Sequence, residues 1–286
     1  MSYKTGVVDV GGGFRGAYAA GVFDYCLDNN LQFDLCIGVS AGSANIASYM
    51  ANQPRRNYQF YTEYGMRKEY ASVHNFIKKK NFIDLDYVYG TLSNSDGESP
   101  LDYHAIMRNS ADMYVVATDA LTGKARYFTK ADLTYNQYDI FKASSAIPFV
   151  CEPYQINNNL YYDGALSDPV PIEKAFLLGC DKVVVLLTLP VDHIRTADRD
   201  NFLASRICKH YPIAADELER RAMKYNSSVV LAKHYEKQGK ALIISPDDTC
   251  GVGTLSRKPD KLKELYKKGY NDGEKIINFF NSANHL

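Results

Sequence analysis

Gly38-Val39-Ser40-Ala41-Gly42 stands between a short apolar run, residues 34–38, and a longer segment, residues 41–50. The run is too short for a helix and reads as a buried strand, whereas the segment after it has the length of a helix. In a strand-to-helix turn, a G-x-S-x-G sequence lifts the serine hydroxyl clear of the backbone, and its small flanking residues permit the strained conformation. The helix that starts after Ser40 directs the positive end of its dipole at the same point. Ser40 is therefore the candidate nucleophile, set against the plainer reading of a serine N-cap. Gly38 and Gly42 are its supports.

The strand–turn–helix pattern repeats one unit earlier. Residues 5–10 are short, valine-rich and closed by glycine, and residues 17–27 place Ala20, Phe23 and Leu27 on one helical face. Between them lies Gly11-Gly12-Gly13-Phe14-Arg15-Gly16. Glycines here let backbone N–H groups approach an anionic atom at a helix N-terminus. The letters fit a dinucleotide pyrophosphate loop, an oxyanion hole for the charge that develops on a carbonyl oxygen, or a plain tight turn. A dinucleotide fold places an acidic residue at the end of its second strand; here Asp34 lies at that strand's start and Ser40 follows its end. Arg15 is either a surface residue or one placed to meet a phosphate or carboxylate.

Further buried strands are expected at 113–118 and 182–189, and a hairpin at 152–156 and 160–162 turning on Asn157-Asn158-Asn159. A helix at 172–178 is closed by Gly179. Leu218, Ala222, Tyr225, Val229 and Ala232 recur at steps of four and three, one face of a long amphipathic helix. A strand at 241–245 and a closing helix near 261–280 complete the chain. Strands alternating with helices predict an α/β fold, three layers with a mostly parallel central sheet. The 286 residues suit one domain, with a motif-bearing core at about 5–190 and an extension at 191–286.

Ser40 needs a proton acceptor. None of the six histidines (His74, His104, His193, His210, His234, His285) has a suggestive neighbourhood. Asp163-Gly164-Ala165 ends the 160–162 strand instead. A carboxylate there could take the serine proton directly if burial raised its proton affinity. Asp168 and Asp119 read as turn residues.

Three motifs in this order, with Ala143-Ser144-Ser145-Ala146-Ile147-Pro148-Phe149 ahead of the aspartate, resemble the patatin-like phospholipases, the bacterial branch in particular. The resemblance spans about residues 5 to 190. It implies a three-layer α/β/α fold, a Ser40–Asp163 dyad and an oxyanion hole from Gly12 and Gly13 with Gly11. Arg15, Gly16, Gly38, Gly42, Gly164 and Ala165 support the motifs. It also implies hydrolysis of lipid acyl esters with no metal or other cofactor. Acyl transfer to an alcohol on the same site, a dinucleotide-binding oxidoreductase and a silent lipid-binding protein are the alternatives.

Lys+Arg and Asp+Glu each total 33, so no global field draws the protein to nucleic acid or anionic lipid. Arg67-Lys68-Glu69-Tyr70 and Lys78-Lys79-Lys80, with Tyr61, Tyr64 and Phe76, are either a solvated face or a patch for peripheral membrane contact. The six cysteines (Cys26, Cys36, Cys151, Cys180, Cys208, Cys250) form no C-x-x-C pair. With the lack of a secretory signal pattern at Met1–Gly6, they suggest reduced thiols in a cytoplasm.

Overall fold

The computed structural model describes residues 3–281; His285 lies outside that range. The strands are β1 (Thr5–Asp9), β2 (Leu35–Val39), β3 (Asp112–Asp119), β4 (Ala125–Thr129), β5 (Tyr154–Ile156), β6 (Asn159–Asp163), β7 (Lys182–Leu186) and β8 (Ala241–Ile244). The helices are α1 (Ala17–Asp28), α2 (Ala41–Met50), α3 (Arg56–Thr62), α4 (Val73–Lys79), α5 (Tyr103–Arg108) and α6 (Asp139–Ser145). They continue with α7 (Ile172–Leu177), α8 (Asp198–Ile207), α9 (Pro212–Lys237), α10 (Pro259–Asp272) and α11 (Lys275–Asn281).

The strands form one mixed sheet in the order β5-β6-β3-β2-β1-β7-β8, with β4 also paired to β3. β3, β2, β1, β7 and β8 run parallel, while β4 and β6 pair antiparallel with β3 and β5 pairs antiparallel with β6. Side chains alternate across the sheet as strand geometry requires. Val7, Cys36, Val115 and Val184 pack with α1, α2 and α6 on one face. Val8, Ile37, Val116 and Val185 pack with α7 and α9 on the other. The result is the expected three-layer α/β/α fold.

Two features of this sheet position the site. The chain steps from β1 to β2 to β3 on one side and later returns to add β7 on the other side of β1. This reversal opens a crevice at the carboxyl ends of β1 and β7, where α/β folds bind ligands. The second feature is a seam along β3. β2 pairs with it as far as Val39 opposite Val116, and β6 takes over with Asp163 opposite Ala117. β4 already occupies the other edge at those residues, so β2 and β6 share one edge and meet end to end.

The sequence expectations differ in detail. The asparagine turn uses only Asn157 and Asn158, because Asn159 pairs with Ile156, and Asn157 takes a positive φ of 53°. The expected closing helix is two, α10 and α11, meeting at Gly273–Glu274. The strand expected at 182–189 ends at Leu186. Asp119 does make a turn, accepting from the N–H groups of Leu121 and Thr122. The predicted apolar stripe of α9 is buried throughout.

The last part of the chain is joined to the rest by close contact. A Cβ on Gly21 of α1 would lie 2.1 Å from the Tyr266 carbonyl oxygen, and one on Gly269 of α10 would lie 1.9 Å from that of Tyr18. The two helices therefore touch backbone to backbone. Asp24 accepts a hydrogen bond from Tyr266 Oη at 2.6 Å, and Asp272 one from Tyr18 Oη at 2.6 Å. Gly269→Ala should destabilise the whole chain by about 1–3 kcal/mol, the scale of overpacking, read as a lower urea midpoint in one cooperative transition. An unchanged midpoint, or a separate early transition, would show that α10 is not integral to the fold.

Candidate active site

Ser40 sits at the head of α2 with φ 56° and ψ −130° and makes no side-chain cap. Strain of this kind in a non-glycine residue survives only where its surroundings impose it. Gly38 and Gly42 show how. A Cβ on Gly38 would meet Ser43 Cα at 2.5 Å, and one on Gly42 would meet the Asp9 carbonyl oxygen at 2.4 Å. The Ser40 N–H donates to Ser144 Oγ at 2.9 Å, and its carbonyl accepts from Ser43 Oγ at 2.6 Å. The hydroxyl is left free of the helix end and faces Asp163.

Asp163 arrives by the β3 seam. It is 3% exposed. Gly164 lets its backbone press onto β3, since a Cβ there would lie 2.2 Å from the Val116 oxygen. Asp163 Oδ1 accepts from the Ala165 N–H at 2.9 Å. Burial raises the carboxyl pKa above its ordinary value, opposed by hydrogen bonding to Ser40 and Ala165 and by the charges of Arg221 and Arg195. The stretch 143–149 binds both residues, because Ser144 holds the Ser40 N–H and the Ala146 oxygen accepts the Asp163 N–H at 2.9 Å.

The glycine loop lies beside them, with positive φ at Gly11, Gly12 and Gly13. The three glycines are not equivalent. The Gly11 N–H donates to Asp9 Oδ1 at 2.9 Å. The Gly12 and Gly13 N–H groups meet no protein acceptor among the described residues and border the same cavity as Ser40 and Asp163. Gly16 packs under Tyr61, whose Oη a Cβ would meet at 2.3 Å. Asp34, the acidic residue a dinucleotide site would use, instead accepts from the Thr5 N–H and hydroxyl at 2.7 and 2.9 Å, far down β2.

Two cavities meet at Ser40. An apolar arm is lined by Phe14, Tyr61, Tyr64, Ile83, Val88 and Leu92. A polar arm is lined by Gly12, Arg15, Asp163, Arg195, Arg199 and Arg221. Ser40, Gly13, Ile147, Thr254 and Leu255 belong to both. Tyr61, Tyr64 and Tyr70, weighed above for a membrane-facing patch, are buried in the wall of the apolar arm. His193 borders the polar arm but is exposed and makes no side-chain hydrogen bond to Ser40 or Asp163.

Sequence reasoning missed two groups of residues. One is Asp9, whose signal was a charge inside a buried valine strand just before the loop. The other is Thr254 and Leu255, Arg195 and Arg221, all from the region that carried no motif. The Thr254 carbonyl accepts from the Phe14 N–H at 3.0 Å and its hydroxyl from Arg15 Nη1 at 2.9 Å.

A strained hydroxyl facing a buried carboxylate, with unengaged N–H donors alongside, is equipment for acyl transfer through a serine ester. Residues 10–176, more than half of the chain, match the Patatin-like phospholipase family, and residues 211–283 match a domain of unknown function (DUF6363). Uncharacterized protein YjjU of Escherichia coli (strain K12) is 30% identical over 192 residues, 65% of this chain and 52% of that protein. The chain thus spans about half the length of that curated relative. The crystal structure of VipD from Legionella pneumophila aligns with a TM-score of 0.49 at 13% identity, over 98% of this chain and 67% of that chain. The chain belongs to the patatin-like phospholipase family, enzymes that hydrolyse lipid acyl esters.

Asp9 is fully buried, and burial lifts its carboxyl to a pKa of about 6 against hydrogen bonds from Asn45 and Gly11. The folded chain therefore holds a proton that the unfolded chain has lost between pH 3.8 and about 6. Over that window stability falls as pH rises and is regained on acidification. Asp9→Asn removes this titration. Urea unfolding should show the parent gaining about 2 kcal/mol relative to the variant between pH 7 and pH 4. A difference that does not change with pH would contradict the buried, ionising carboxyl.

Proposed function

We propose that this chain hydrolyses fatty-acyl esters of phospholipids or related lipids through a Ser40–Asp163 dyad. Asp163 accepts the proton of the Ser40 hydroxyl as Oγ bonds to the acyl carbonyl carbon. The Gly12 and Gly13 N–H groups receive the charge that forms on the carbonyl oxygen. The bond to the alcohol then breaks as Asp163 returns the proton to it, leaving an acyl-Ser40 ester. Water gives its proton to Asp163 and attacks that ester, and the acid departs as Ser40 recovers its hydrogen. The single observation that supports this reading best is the β3 seam, which sets Asp163 next to the end of β2 without help from a histidine.

The burial of Asp163 fits the role of base, because it raises the proton affinity of a group that must take a proton from serine. The apolar arm suits an acyl chain, and the elements from residue 191 onward close the site, so core and extension act as one unit. Transfer to an acceptor alcohol in place of water would use the same acyl-Ser40. Unpaired cysteines suit a reducing cytoplasm. No helix among the described residues is long and apolar enough to cross a membrane. Peripheral contact falls to α4, where Val73, Phe76 and Ile77 are 66%, 43% and 75% exposed next to Lys78. Sedimentation with anionic vesicles should be reduced in Ile77→Asp; equal sedimentation of parent and variant would remove α4 from that role.

The dyad is tested by comparing variants in acyl-ester turnover. Asp163→Asn should lose activity nearly as severely as Ser40→Ala, and the double variant should lose little more, since the two act as a unit. Turnover should also fall on acidification as Asp163 takes up a proton, at a pH above the ordinary aspartate range. A folded His193→Ala protein reduced to the level of Ser40→Ala would show a triad and end the dyad reading.

A further inference from the structure

The polar arm is lined by four guanidiniums, Arg15, Arg195, Arg199 and Arg221, against two carboxylates, Asp163 and Asp200. Neither carboxylate is free to balance the others. Asp200 is 2% exposed and engaged by Arg221, whose Nε donates at 3.0 Å and whose Nη2 makes a second bond. Asp163 is turned toward Ser40. Arg15, Arg195 and Arg199 therefore make no ion pair among the described residues, although Asp163 and Asp200 act on Arg195 at longer range.

Their settings differ in a way that suggests a built site. Arg15 donates from Nη1 to Thr254, while its Nε is buried and has no acceptor. Burial and then the charges of Arg195, Arg199 and Arg221 lower its pKa to about 10. Arg195 lies with its guanidinium 5.1 Å from the Tyr225 ring centre. Its backbone is clamped to α9 by Asn226, which accepts from the Arg195 N–H and donates to the Arg195 oxygen, both at 3.0 Å. Arg199 stands at the rim on α8, exposed. Holding the Arg15 and Arg195 guanidiniums near one another and largely out of water, with no ion pair to either, is unfavourable. An orphaned buried donor adds to that cost. A tetrahedral oxyanion relieves both at once, because guanidinium forks match phosphate oxygens.

Resting on the hydrolase reading above, we infer that the polar arm recognises a phosphate group on the alcohol side of the scissile ester. The preferred substrates are then acyl esters of phosphorylated alcohols over neutral glycerides of the same acyl chain. Geometry supplies the direction. With an acyl chain in the apolar arm, the alcohol half at Ser40 extends into the other cavity that meets there, the one lined by Arg15, Arg195 and Arg199. Arg195 and Arg221 lie outside residues 10–176, so this selectivity is carried by the region that follows the patatin-like core.

The test has a turnover arm and a binding arm. kcat/KM is measured for a 1-acylglycerol phosphate and for the 1-acylglycerol of the same chain, in the parent, Arg199→Gln and Arg195→Gln. The parent should prefer the phosphorylated ester, and the ratio should fall at least about tenfold in each variant, as for loss of a charge-assisted hydrogen bond. If these arginines served only to hold Asp163 ionised, both esters would lose kcat together and the ratio would stay constant, overturning the inference. In the binding arm, glycerol 3-phosphate and inorganic phosphate are each titrated calorimetrically into Ser40→Ala, with and without Arg199→Gln. Binding lost on adding Arg199→Gln supports the site even if no ester is turned over, which separates its fate from that of the dyad. Binding of inorganic phosphate with no preference between the two esters would indicate a free-phosphate site and overturn the substrate class. No binding of either phosphate overturns the site itself.

Discussion

The buried carboxylate of Asp9 holds the two halves of the site in register. Its Oδ1 takes the Gly11 N–H, and its Oδ2 takes Asn45 Nδ2 from α2 at 2.9 Å. The same Asn45 amide reaches the Gly16 oxygen at 3.1 Å. One side chain thus ties the glycine loop after β1 to the helix that presents Ser40. Burying an ionisable group in this way is costly unless its lone pairs are filled, and here both oxygens are used. The three glycines differ accordingly: the Gly11 N–H is bound to Asp9, while Gly12 and Gly13 line the cavity and their N–H groups meet no protein acceptor among the described residues.

The second constraint is topological. Strand β3 offers one edge to two partners in succession, so the end of β2 and the end of β6 must adjoin whatever side chains they carry. A serine just past one end and an aspartate at the other are then neighbours by backbone geometry. This arrangement explains why residues more than a hundred positions apart need no flexible loop to find each other. It also explains Gly164, which fits against Val116 of β3; Gly42 fits in the same way against Asp9 of β1, and each is a contact that a side chain would force open.

Much of this was legible in the sequence because it is local. Short valine-rich runs, G-x-S-x-G and Asp-Gly are periodic or compact signals, and they marked β1, β2, α2 and the end of β6. Ser40 and Asp163, which the fold sets side by side, could be named. What could not be read was non-local. Gly11 looks like Gly12 and Gly13 until Asp9 is seen to occupy its N–H. Tyr61 and Tyr64 looked like surface aromatics beside basic residues, yet α3 and the short turn that follows it fold them inward as the wall of the apolar arm. Arg195, Arg221 and Thr254 carry no spacing pattern, because they reach the site from a loop, from α9 and from a turn after β8. The break between α10 and α11 falls at Asn271-Asp272-Gly273, a short turn signal that long helix-forming stretches on both sides outweigh.

A serine that serves as nucleophile must itself become covalently modified. Fluorophosphonate labelling followed by peptide mass mapping reads this directly. A single adduct is expected on Ser40, absent from Ser40→Ala and strongly slowed in Asp163→Asn. An adduct on another residue, or undiminished labelling of a folded Ser40→Ala protein, would contradict it.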